Sequence, residues 1–184
     1  DHSEIVFIAL KTDVYETILE ELTFRETQKI VSLVPFSTIE KLKNLVHPAE
    51  EITRATPLPT VVNHTCPIQV YQPNDDVLRI LSSSGQVLEV ETEQQLQTIW
   101  TLTGLISPYY DLMSEISDWA VRNSVDKAVA SKYVADMFHS LALAASKSEA
   151  PDFNALSSHA ATPGGLNEWA AKSIKEAGAH SAWV

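Results

Sequence analysis

The sequence predicts an α/β part with strands in a parallel sheet, followed by an all-helical part. Three observations predict it. Short apolar runs alternate with amphipathic stretches as far as about residue 92, whereas from residue 93 onward the apolar spacing is helical throughout. Near the C-terminus, Thr162-Pro163-Gly164-Gly165 turns the chain into a last amphipathic run.

Residues 4–10 (EIVFIAL) form a continuous apolar run, which reads as a strand buried on both faces inside a parallel sheet. Residues 12–22 place Val14, Ile18, Leu19 and Leu22 at helical spacing, with Thr12 or Asp13 as the cap. A second strand follows at 29–34 (KIVSLV), then a helix over 37–46 opened by a Ser37 and Glu40 capping box, then a strand over 51–56. Strand and helix alternating through short connections give a parallel sheet, the second half of a Rossmann-like domain. Residues 68–71 add a strand, 75–81 a helix with Asp75 or Asp76 near its cap, and 87–90 a short last strand. The boundary falls near Thr92, giving domains 1–92 and 93–184.

In the second domain, residues 93–103 carry Leu96, Ile99, Trp100 and Leu102, and Pro108 interrupts the helix before it resumes over 109–122. Residues 125–147 form a long helix with Val129, Tyr133, Val134, Met137, Phe138, Leu141 and Leu143 spread round its surface. Such a helix is buried deeply or covered by a second copy of the chain. Residues 148–152 read as a loop. After the Gly-Gly turn, Trp169, Ala170, Ser173, Ile174 and Ala177 share one face, Lys172, Lys175 and Glu176 stay solvated, and Gly178 ends the helix. A Gly-Gly turn at a helix start points backbone N–H groups outward beside the positive end of the dipole. That is an anion site, with the dipole contributing about 0.3–1 kcal/mol.

Thirteen basic against 24 acidic residues give a net charge of −11, which argues against a nucleic-acid or anionic-membrane partner. The lone Cys66 has no partner for an internal disulfide and suits a reducing, cytoplasmic setting. No apolar run approaches the ~20 residues of a membrane span, and the first residues do not read as a signal peptide. The six histidines form no metal-ligating pattern with carboxylates, and no Gly-x-Ser-x-Gly elbow occurs.

The stretch TPGGLNE, followed by a helix ending in glycine, resembles the C-terminal motif of the pyrroline-5-carboxylate reductases. Ile5-Val6-Phe7-Ile8-Ala9-Leu10-Lys11 resembles that family's strand ending in Ala-Val-Lys-Pro, and Arg54-Ala55-Thr56-Pro57-Leu58-Pro59 its Arg-Val-Met-Pro-Asn-Thr-Pro segment, in the same order along the chain. The resemblance implies reduction of a small anionic cyclic imine in proline biosynthesis, with hydride from NADP (or NAD) in its reduced form. It also implies a homodimer whose helical domains interlock and build the substrate site from both subunits. By the same resemblance, Thr162, Pro163, Gly164, Gly165, Leu166 and Asn167 bind the substrate. Ala9, Leu10, Lys11, Pro57, Leu58 and Pro59 line the cofactor.

Several positions depart from the family. Leu166-Asn167 stands for two threonines, so Asn167 inherits the catalytic role near the reacting nitrogen, unless it only caps the helix. Thr12 replaces a proline, Pro57-Leu58-Pro59 lacks an asparagine, and residues 103–110, which keep Pro108 and Tyr110, have lost glycines of the family that admit substrate to the backbone. These changes point to a bulkier or less polar imine, or another carbonyl-like compound. No Gly-x-Gly-x-x-Gly occurs among the residues. The expectation is that an N-terminal segment of the natural chain precedes this sequence, or that a dinucleotide is not bound in the usual way. The alternative is a non-catalytic relative serving as a dimerisation or small-carboxylate-binding module. A third reading makes Lys127 or Lys132 the acid of another dehydrogenase.

Overall fold

The computed structural model describes residues 2–183, which form two compact units divided between Thr103 and Gly104. In the first unit the order is β1 (Ile5–Ile8), α1 (Tyr15–Glu20), β2 (Lys29–Ser32), α2 (Ile39–Leu45), β3 (Glu51–Pro57), β4 (Pro67–Tyr71), α3 (Asp75–Ser82), β5 (Gln86–Val90) and α4 (Glu93–Thr101). The second holds α5 (Ile106–Arg122), α6 (Lys127–Ala145), α7 (Phe153–Ala160) and α8 (Leu166–Glu176).

The strands lie in the order β1-β2-β3-β4-β5. The first three are parallel and in step, Ile8 beside Ser32 and Ser32 beside Arg54. The sheet is mixed, not parallel throughout, because β4 runs antiparallel to β3 and β5 parallel to β4. Between β3 and β4 there is only a 3-10 turn at Pro59–Asn63, too short for the crossover a parallel pair needs. Successive residues of β2 feed opposite faces. Ile30 joins Tyr15, Leu19, Leu42 and Val46 under α1 and α2, while Val31 joins Ile68, Val70, Val77 and Leu81 beneath α3. Expected to be buried on both faces, β1 instead forms an edge of the sheet among the described residues, and its Phe7 is exposed.

Three helix starts differ from expectation. The chain enters α1 through backbone bonds from Val14 and Tyr15 to the Lys11 carbonyl, so neither Thr12 nor Asp13 caps it. Thr38, not Ser37, caps α2, its Oγ1 accepting from the Lys41 N–H at 3.2 Å. Asn74 caps α3 ahead of Asp75 and Asp76, accepting from Val77 N–H at 3.1 Å. Both latter cases put the cap one or two places from the expected residue, where several side chains of similar capping strength compete.

Helix α4 belongs to the first unit, which carries the division past Thr92 to residue 103. Thr92 is its cap, Leu96 is fully buried, and Glu93 is tied to two other elements of the unit. Its Oε1 accepts from the Ile39 N–H at 2.8 Å and from Arg54 Nη1 at 3.0 Å. In the second unit Pro108 does not break a helix. It sits in the first turn of α5, where a missing N–H costs nothing, and the interruption lies earlier in a 3-10 turn at Leu102–Leu105. Helix α7 was not expected, and its cap is Asp152, which accepts from Ala155 N–H at 2.9 Å. Helices α5 and α6 cross with Ser117 and Ser131 hydroxyls 3.1 Å apart. Val134 is buried against this crossing, yet Val129, Tyr133, Leu141 and Leu143 on α6 stay exposed.

Truncation of Leu96 to Ala leaves a cavity in the first unit and is expected to lower its unfolding free energy by about 2–5 kcal/mol, measured by urea titration. A second expectation concerns pH. The Lys29 ammonium, 2.5 Å away and hydrogen-bonded, holds Asp76 below the ordinary carboxylate value, and the Asp76 hydrogen bond in turn raises Lys29. A lowered folded-state value stabilises above the unfolded value and is lost as pH falls through the folded one; the raised lysine stabilises below its unfolded value and is lost at alkaline pH. Asp76→Asn should therefore lower the melting temperature slightly at neutral pH. The gap from wild type should close as pH falls well below about 3.9 and shrink in high salt.

Candidate functional site

The Pro-Gly-Gly turn is built from the end of α7. The Ala160 carbonyl accepts from Thr162 N–H at 3.2 Å, and the Thr162 carbonyl accepts from Gly165 N–H at 2.8 Å. Gly164 lies at φ +71°, a left-handed conformation side chains seldom adopt, and a Cβ on Gly165 would come within 2.9 Å of the Thr162 carbonyl oxygen. Both glycines are therefore required by the path of the chain. Gly165 is the N-cap of α8, extended and without a side-chain acceptor of its own, so the first-turn N–H groups receive no cap from it.

A side chain reaches back to this turn. Gly164 N–H donates to Glu168 Oε2 at 2.7 Å, so one of the N–H groups expected to face an anion already holds a carboxylate. Glu168 occupies the third helical position, where the acid of a capping box sits, and that position was its signal in the sequence. Asn167 does not cap α8. Its Nδ2 donates to the Ala160 carbonyl at 3.1 Å and ties the helix start to the end of α7. Thr162, Pro163, Leu166 and Asn167 are all exposed around the turn. One backbone N–H of the turn, that of Gly164, thus holds the chain's own carboxylate, and the Asn167 Oδ1 is left as an acceptor.

The second set of expected residues lies in the first unit, at the carboxyl ends of the parallel strands. Because β1, β2 and β3 run in step, residues 9–11, 33–36 and 57–59 come out at one edge of the sheet. Ala9 and Lys11 are exposed there, whereas Leu10 packs against the core under α1 and α2. Pro57 ends β3, Leu58 packs against the other core, and Pro59 starts the 3-10 turn in the open. Leu10 and Leu58 thus pack inward, and Ala9, Lys11 and Pro59 present surface.

Between these two segments the chain is strained. Phe36 has φ +62°, a left-handed conformation costing a non-glycine residue about 1–3 kcal/mol, and its side chain is 61% exposed. Its ring meets Trp100 of α4 edge to face, centroids 4.4 Å apart. Sequence reasoning missed Phe36, since a positive φ leaves no trace in residue type once glycine is absent. Close by in the chain, the Ser37 hydroxyl is buried without a hydrogen-bond partner, and so is Arg54 Nε, although Arg54 is held through Nη1 by Glu93.

Lys127 and Lys132, the acids of the third reading, lie on α6; Lys132 is paired with Asp136 one turn on, and both are solvated. Among the described residues no group of three or more His, Cys, Asp or Glu stands together to hold a metal ion, and no helix is long and apolar enough to cross a membrane.

No protein-family model matches the chain, and no curated protein sequence does. Solved structures do match it. A pyrroline carboxylate reductase from Plasmodium falciparum, solved with NADP bound, superposes with a TM-score of 0.83 at 17% identity, covering 99% of this chain and 72% of that one. The chain has the fold of the pyrroline-5-carboxylate reductases. The enzyme from Coxiella burnetii gives a TM-score of 0.82 at 20% identity, over 99% of this chain and 71% of its own. That from Streptococcus pyogenes gives 0.81 at 16%, over 98% and 71%. The Rossmann-like sheet followed by helices, expected from the periodicities, is the architecture these reductases share with this chain.

Replacing Glu168 by Ala removes the back-bond to Gly164. The expected loss is about 0.5–2 kcal/mol in thermal or chemical unfolding of the second unit, with Glu168→Gln losing less.

Proposed function

We propose that the chain is an NAD(P)H-dependent reductase of a cyclic imino acid, of the pyrroline-5-carboxylate reductase kind, working in proline biosynthesis in the cytoplasm as a homodimer. The observation that carries the reading is the Gly164 N–H already holding a carboxylate in a turn whose glycines admit no side chain, within a fold shared with these reductases. The exposed apolar face of α6 supports the dimer. Ile116, Trp119, Val125, Val129, Tyr133 and Met137 line an apolar groove of about 430 Å³ between α5 and α6, and Val129, Tyr133, Leu141 and Leu143 are exposed along α6.

The carboxyl edge of β1 to β3 fits the ring end of a dinucleotide: Ala9 and Pro59 are small, exposed and apolar, and Lys11 adds a positive charge. No glycine-rich strand-to-helix turn for a pyrophosphate occurs within the 184 residues. When bound, the reduced nicotinamide supplies hydride to the imine carbon. The residues of this chain bind and orient. The turn takes the substrate carboxylate on the Gly164 N–H, in exchange for Glu168, with the helix dipole favouring its charge. Exchange of Glu168 for the substrate acid keeps Gly164 N–H satisfied throughout. Asn167, held by Ala160, offers a fixed polar group for the imine nitrogen, and its rigidity serves alignment more than proton transfer. The exposed Leu166 beside it favours an imine with more apolar surface than a site built on two hydroxyls.

The test is NADPH oxidation followed at 340 nm with pyrroline-5-carboxylate and with bulkier cyclic imino acids, alongside Gly164→Val. Wild type is expected to turn over at least one of them, and the variant, unable to keep φ +71° without strain, to lose carboxylate binding and at least about a hundredfold in kcat/KM, about 2.7 kcal/mol. Dimerisation without any turnover or carboxylate binding would favour the non-catalytic reading.

A further inference from the structure

We propose that Phe36 is a cofactor-contacting residue, its ring packing against the planar nicotinamide of the dinucleotide with Trp100 as its backing. This rests on the reductase reading above. In the sheet, β2 lies between β1 and β3, so a ligand that touches both residues 9–11 and residues 57–59 crosses the carboxyl end of β2. The large side chain at that end is Phe36. Open α/β sheets take their ligands along this edge.

The conformation of Phe36 gives the second line of argument. A left-handed backbone is the natural place for glycine, yet a large aromatic occupies it, and the ring is 61% exposed. Core packing therefore does not account for the choice of residue. The ring is nonetheless held in place, since Trp100, half-buried on α4, meets it edge to face at 4.4 Å. An aromatic ring that is fixed, exposed and strained at a ligand edge offers a flat apolar face to a flat ring. The expected cofactor-lining residues exposed beside it offer no such face, because Ala9, Lys11 and Pro59 present a methyl group, an ammonium and a saturated ring.

The experiment titrates the natural full-length protein with NADPH, following energy transfer from tryptophan to the dihydronicotinamide and heat by calorimetry, and melts each protein without ligand. The variants are Phe36→Gly, Phe36→Ala and Phe36→Tyr. The expected result is a Kd about three- to tenfold weaker for the Gly and Ala variants and within about twofold of wild type for Tyr. Phe36→Gly, which relieves the backbone, is expected to melt no lower than wild type. If wild type binds NADPH and the Gly and Ala variants bind it equally well, Phe36 is no contact and the reductase reading stands. A drop of several degrees in melting temperature with unchanged Kd would make the ring a staple for Trp100 instead. Absence of saturable NADPH binding by wild type would overturn the reductase reading and this proposal together.

Discussion

One carboxylate organises the first unit. Arg54 lies on β3 with a side chain 5% exposed, and a guanidinium so placed requires a counter-charge. Glu93 supplies it and, through the same oxygen, accepts the first helical N–H of α2. A strand, a helix start and a second helix are thereby joined at one point. Helix α4 is fixed by its first residue, Leu96 buries its inner face one turn on, and Trp100 follows a turn after that, which brings its indole to Phe36. The Phe36–Trp100 pair therefore depends on an ion pair that contains neither ring.

The second unit solves a different problem, that of starting a helix without a capping side chain. A serine or aspartate at position 165 would satisfy a first-turn N–H, but any Cβ there collides with the Thr162 carbonyl. The chain uses Glu168 from inside the helix to reach Gly164, and Asn167 to reach the end of α7. Both bonds hold the turn from the helical side and leave its outer surface exposed. The turn is thereby held rigid, with its Gly164 N–H engaged by the chain's own Glu168.

Much of the fold was legible because apolar runs mark strands, although β1 shows that they do not fix how many faces are buried. IVFI, KIVS and EITRATP each lie on a strand, and the helical spacing around Leu96 and Val134 marks helices that exist. Strand direction was not legible at β4, since it depends on the length of a connection that happens to be a 3-10 turn. Helix starts shifted where Ser37 and Thr38, or Asn74 and Asp75, are chemically near-equivalent, and a distant Glu93 decided the contest at α2. Helix α7 escaped because Phe153 and Leu156 are exposed and leave little periodic signal. At the candidate site, Pro163, Gly164 and Gly165 announced the turn. The reach of Glu168 and the left-handed Phe36 are facts of three-dimensional path that residue types do not encode singly.

On the proposed reading, the carboxylate of Glu168 on Gly164 N–H also sets a threshold for an arriving acid. A tethered group competes at an effective concentration fixed by its linker, commonly in the millimolar range for short tethers, whatever the concentration of free acids around it. Weak monocarboxylates meet a resident rival they cannot dilute away. Only an acid with further contacts elsewhere on its frame gains enough to displace it, so the turn filters by the rest of the ligand, not by the carboxylate it holds.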